Sequence, residues 1–130
     1  MKLILTSIFF FMMLGHAKAQ AERIIYEYFD PLSKEIAFDL PGNIEVKYWK
    51  KSQIRILTII STENCDLETL NDLVDSGRYQ LNLNLTEGFS LVTLPLVKEK
   101  IKLLEENHLL ENFKFEIRLP EGIDQKKFTN

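Results

Sequence analysis

Leu40-Pro41-Gly42-Asn43-Ile44-Glu45-Val46-Lys47-Tyr48-Trp49, followed after Lys50-Lys51-Ser52 by Gln53-Ile54-Arg55-Ile56-Leu57-Thr58-Ile59-Ile60, decides the fold. From Asn43 the residue types alternate. Ile44, Val46 and Tyr48 share one face of an extended chain, and Asn43, Glu45 and Lys47 share the other. A period of two carried by β-branched and aromatic residues predicts a strand covered on one side. Ile54, Ile56, Thr58 and Ile60 repeat the pattern. Leu57 and Ile59 fall in the opposite phase, which predicts cover on both faces at the end of that strand. Pro41-Gly42-Asn43 reads as a turn, and Trp49-Lys50-Lys51-Ser52 breaks the alternation between the two strands.

The same period extends outward in both directions. Arg23–Phe29, Glu35–Leu40, Phe89–Leu94 and Phe113–Leu119 read as strands. Tyr79–Leu85 alternates strictly, with Tyr79, Leu81, Leu83 and Leu85 expected to face inward. Asp66–Asp75 differs, because Leu67, Leu70 and Leu73-Val74 fall at helical spacing. Asn64 or Asp66 caps its start and Gly77 ends it, so a short helix is expected near residues 66–76. Such a helix is too short to stand alone and needs its leucine stripe packed on the sheet. Val97–Leu110 supports two readings: Val97, Ile101, Leu104 and His108 suit a helix, while Ile101-Lys102-Leu103 alternates and Glu105–His108 suits a hairpin loop. Periodicity favours the helix. Residues 124–130 are polar and are expected to fray.

The chain has 130 residues, five Gly and four Pro, and no linker-like stretch, so a single domain is expected over residues 20–130. Met1–Gln20 reads MKLILTSIFFFMMLGHAKAQ: one early lysine, an apolar run and Ala17-Lys18-Ala19. This is the pattern of a secretory signal peptide over residues 1–19, cleaved after Ala19 or, at a second candidate, after Ala21. The apolar run is about a dozen residues, short of the roughly 20 needed for a transmembrane anchor. An extracytoplasmic protein, periplasmic or at the cell surface, follows as the expectation, with no membrane anchor after cleavage. Removing Lys2 and Lys18 with the leader takes the formal charge from −3 to −5. That balance argues against nucleic-acid binding by phosphate neutralisation.

Catalytic constellations are not legible. One Cys and two His exclude a disulfide framework and a multi-Cys zinc centre. No G-x-S-x-G elbow, H-E-x-x-H pair or phosphate-cradling glycine loop occurs. Cys65 is read as buried and His108 as a solvated loop residue. Neither a cofactor nor a metal is expected, and the chain is read as a non-enzyme. Lys98, Lys100 and Lys102 are read as protection of a strand edge. The remaining cluster of interest is Tyr48, Trp49, Lys50 and Lys51, an aromatic pair followed by two cations at a strand end. It is the candidate contact for a partner protein or glycan, set against the plainer reading that Trp49 closes one end of the core.

The run from Gly42 to Trp49 resembles the G-x-I-x-V-x-x-W strand of the bacterial "putative adhesin" domains, secreted β-rich domains of envelope proteins whose role is not assigned. Gln53–Ile56 and the strand Phe113–Leu119 running into Pro120-Glu121-Gly122 match the family in the same way, and the likeness extends over Ile36–Ile123. The resemblance implies an elongated or solenoid-like sheet. It turns Val97–Leu110 into a β-hairpin, Lys100–Leu104 out and Leu109–Leu119 back, in place of the helix. Family members continue beyond the Pro-Glu-Gly turn, whereas this sequence stops at Asn130, which implies a minimal version or a partner that completes the sheet. The expected fold is therefore mainly β, an antiparallel or solenoid-like sheet of about seven to eight strands with one short helix. The expected role is adhesion or interaction with an envelope protein or polysaccharide. The alternatives are a periplasmic accessory or sensor protein that binds a protein partner through an edge strand, and a small hydrolase.

Overall fold

In the computed structural model, which describes residues 20–99 and 108–128, the alternating segments form eight strands in two four-stranded sheets. They are β1 (Ala21–Phe29), β2 (Glu35–Asp39), β3 (Asn43–Trp49), β4 (Ile54–Thr62), β5 (Asn82–Thr86), β6 (Phe89–Thr93), β7 (Glu111–Pro120) and β8 (Asp124–Gln125). One helix, α1 (Leu67–Asp75), follows β4, and a 3₁₀ turn spans Pro95–Lys98. The first sheet has the order β1-β4-β7-β3 and the second β5-β6-β2-β8.

Both sheets are mixed, which corrects the antiparallel or solenoid-like expectation. β1, β4 and β7 are antiparallel neighbours, but β3 runs parallel to β7, and β2 runs parallel to both β6 and β8. The reason lies at Pro41-Gly42. This turn does not fold β3 back on β2. It carries the chain from one sheet to the other. Gly42 has φ +129°, and a Cβ there would lie 2.3 Å from the Phe113 carbonyl oxygen. Only glycine lets the crossing pass this close to β7.

The inner faces of the two sheets share one core. Ile54, Ile56, Phe115, Ile117 and Leu119 from the first sheet meet Ile36, Leu81, Val92 and Leu94 from the second and its flanks. A second cluster joins Ile60, Cys65, Leu70, Tyr79 and Leu109, with Ile25 of β1 packed against it. Here α1 finds the apolar cover that a nine-residue helix needs. Asp66 caps it by accepting from the Thr69 N–H at 2.8 Å, and that bond holds its carboxyl below the ordinary range. Cys65 is buried and unpaired.

Three further expectations are corrected. Tyr79–Leu85 is not one strand: Tyr79 lies in the turn after α1, the strand begins at Asn82, and Leu85 is exposed. Residues 124–130 do not fray from their start, because Asp124–Gln125 pairs with Glu35–Ile36 and the Lys126 N–H donates to the Ile36 carbonyl. The helical reading of Val97–Leu110 does not hold at its described ends. Val97 and Lys98 lie in the 3₁₀ turn, and Leu109-Leu110 precede β7. The expected returning arm Leu109–Leu119 is present as β7, which β3 and β4 flank over Lys114–Arg118. The expected outgoing strand Lys100–Leu104 lies outside the described residues, as do the signal peptide, Lys100 and Lys102.

Candidate functional site

Adjacent residues of a strand point to opposite faces, and this divides the cluster expected at Tyr48, Trp49, Lys50 and Lys51. Tyr48 lies opposite Leu119 on the core side of β3, at the open edge of the sheet, and stays half exposed. Trp49 lies on the outer face and does not close the core. Its indole N–H donates to the Gln53 carbonyl at 2.8 Å, which ties off the β3–β4 loop. Lys51 folds back over the ring, with Nζ 5.2 Å from the centroid. Lys50 is exposed and stands apart from the Trp49 ring stack.

The outer face gives Trp49 neighbours that the sequence did not reveal. The Arg55 guanidinium lies 5.3 Å from the Trp49 ring, and Tyr28 joins Trp49, Lys51 and Gln53 around a shallow hollow of about 350 Å³. The strand register then reads across four strands as a row: Lys47 on β3 opposite Arg118 on β7, Arg118 opposite Arg55 on β4, and Arg55 opposite Tyr28 on β1. The next row is Glu45, Glu116, Leu57 and Tyr26, and the one after it is Asn43, Lys114, Ile59 and Ile24. The β1 side of this face is apolar and open: Ile24, Tyr26 and Tyr28 are each about half exposed. Tyr28, Lys47, Arg55 and Arg118 were legible only as residues in the outward phase of their strands. Their meeting depends on a register between segments far apart in the chain.

Two other places hold polar chemistry. At the start of β7, Glu111 receives Arg78 Nη2 at 2.7 Å and Nε at 3.0 Å, and accepts the Tyr79 hydroxyl. Arg78 Nη1 also donates to the carbonyls of Leu96 and Glu99. Burial first, then Glu111, pushes the Tyr79 phenol well above its ordinary range. This group is closed and internally satisfied, so it holds structure together and offers no reactive atom. On β1, burial raises the Glu27 carboxyl, against the lowering effect of the Leu81 N–H that it accepts. His108 is exposed, and its carbonyl accepts from Asn64. No group of three His, Cys, Asp or Glu side chains suited to a metal occurs among the described residues. None of the described helices is long and apolar enough to cross a membrane.

No protein-family model matches the chain, and no curated protein matches it in sequence. Among solved structures, a "putative cell adhesion protein" from Clostridium sporogenes aligns with a TM-score of 0.41 and 10% sequence identity, over 82% of this chain and 46% of that one. The chain thus spans about half the length of that protein. A likeness this faint carries no argument about activity. The resemblance drawn from Gly42–Trp49 remains one of strand and turn residues, without a family match.

Proposed function

We propose that the protein is a non-enzymatic extracytoplasmic domain of adhesion type that binds an envelope component through the outer face of its first sheet, at the end marked by Trp49 and Tyr28. The observation that carries this reading is the partly exposed aromatic group beside donors. Tyr28 and Trp49 border one hollow with Lys51 and Gln53, and Arg55 stands on the Trp49 ring. A flat apolar ring next to polar donors suits a partner that is itself both apolar and polar, as a sugar ring or a peptide is. Tyr48, on the other face, takes no part in this site. The test compares the exported chain with its Trp49→Ala and Tyr28→Ala variants for retention on isolated cell envelope. Retention should fall at least tenfold while thermal unfolding stays within a few degrees. Unchanged retention by folded variants would sink the proposal.

A second reading has its own observation. β1 forms one edge of its sheet, is nine residues long, and no described strand pairs with its free side. It carries no proline or lysine, the usual guards against strand addition. An accessory protein that captures a partner strand there would protect the β1 amides from hydrogen exchange when the partner is added.

A further inference from the structure

We infer that the ligand of the Trp49 face is an acidic polysaccharide, whose carboxylate or sulfate groups are held by the row Lys47–Arg118–Arg55. This rests on the binding role proposed above and names the chemical class it would take. Like charges placed directly opposite each other across strands are destabilising, yet here three cations stand side by side on three adjacent strands. Lys47 has Glu45 at 3.5 Å, a pair more than half exposed on both sides. Neither Arg55 nor Arg118 has a carboxylate within ion-pair distance among the described residues. The Arg55 Nε is buried and has no hydrogen-bond partner among the described residues, although its guanidinium lies over Trp49. A buried donor left unmet is costly. An anion over the row would relieve the repulsion among the three cations.

The surroundings narrow the class. Trp49 and Tyr28 border one hollow at an end of the row, and the half-exposed Tyr28 ring offers a face to the apolar side of a sugar. Lys51 adds a fourth cation beside the same ring. The row of Glu45 and Glu116 borders the cations on the other side, so an acidic chain is steered toward the aromatic end. The chain as a whole is acidic. This cationic strip is therefore a local feature and not part of a general basic surface. Guanidinium groups also suit planar carboxylate and sulfate oxygens better than ammonium groups do, because they bind two oxygens at once.

The test uses the exported full chain in affinity electrophoresis through gels containing polygalacturonate or neutral dextran, with and without added salt. Retardation is expected in polygalacturonate and not in dextran. It should weaken about tenfold in Arg118→Gln and in Lys47→Gln, and fall further as salt rises. Lys114→Gln, two rows removed, serves as the control that should change little. Arg55→Gln is read only if it unfolds at the parent's temperature, since Arg55 also supports Trp49. Equal retardation in the two polymers, or retardation in polygalacturonate that Arg118→Gln and Lys47→Gln leave intact, overturns the inference. If Trp49→Ala still abolishes envelope retention in that case, the binding role survives and only its acidic ligand is lost. If no variant alters envelope retention, both readings fail.

Discussion

Glu111→Gln is the perturbation whose cost the structure defines best. The Glu111 and Arg78 side chains are only 8% and 7% exposed, and they are joined by two hydrogen bonds, so the charge left on Arg78 would have no water to turn to. Glutamine keeps an acceptor for the Tyr79 hydroxyl and for one guanidinium N–H but removes the compensating charge. Breaking a buried ion pair from one side costs about 3–5 kcal/mol, out of a total stability of about 5–15 kcal/mol for a domain. With a urea slope of about 2 kcal/mol per M for a chain of this size, the unfolding midpoint should fall by roughly 1.5–2.5 M. Arg78→Met should cost a similar amount, since it strands the Glu111 carboxylate and frees the carbonyls of Leu96 and Glu99. The double variant Arg78→Met/Glu111→Gln should cost less than the sum of its two single variants by at least about 1.5 kcal/mol, because it removes both charges together. Urea unfolding followed by Trp49 fluorescence supplies all four values. A Glu111→Gln variant within about 1 kcal/mol of the parent, or single effects that add, would refute the claim that this pair is buried and coupled.

Gly42→Ala should destabilise by more than about 2 kcal/mol in the same assay, since a positive φ costs about 1–3 kcal/mol and the new Cβ meets the Phe113 carbonyl at 2.3 Å. Thr58→Val should stabilise by about 1 kcal/mol, because the fully buried hydroxyl on β4 has no partner among the described residues; a loss of stability would reveal a hidden partner. Glu27 has a raised carboxyl in the folded state, so the native protein holds its proton more tightly than the unfolded chain does. Stability from this group is present below the unfolded value near 4.3 and is lost as pH rises through the raised folded one. Glu27→Gln should therefore unfold at a higher urea concentration than the parent at pH 7 and at the same concentration near pH 3, as a pH series of melts would show.

How much of this was legible depends on whether the cause was local. β3, β4 and α1 were readable because period two and the leucine stripe of Leu67, Leu70 and Leu73 are properties of a few consecutive residues. The mixed topology was not, because Pro41-Gly42 signals a turn without saying which sheet receives the next strand. The limit shows again at Tyr79. Tyr79 is buried among Ile60, Leu70 and Leu109, and its hydroxyl is met by Glu111, 32 residues away; no alternation pattern reports such partners. At the site, the split of Tyr48 from Trp49 was implicit in the strand period and only had to be applied. The row Lys47–Arg118–Arg55–Tyr28 was out of reach, since it exists only once four strands are set in register.

Hydrogen exchange of the chain, with and without a cell-envelope extract, tests the proposed binding face most directly. Slower exchange confined to peptides covering Tyr26–Phe29, Lys47–Arg55 and Glu116–Arg118 is the predicted result. Protection of β5, β6 and β8 in place of these peptides, or no protection at concentrations where the chain is retained, would contradict it.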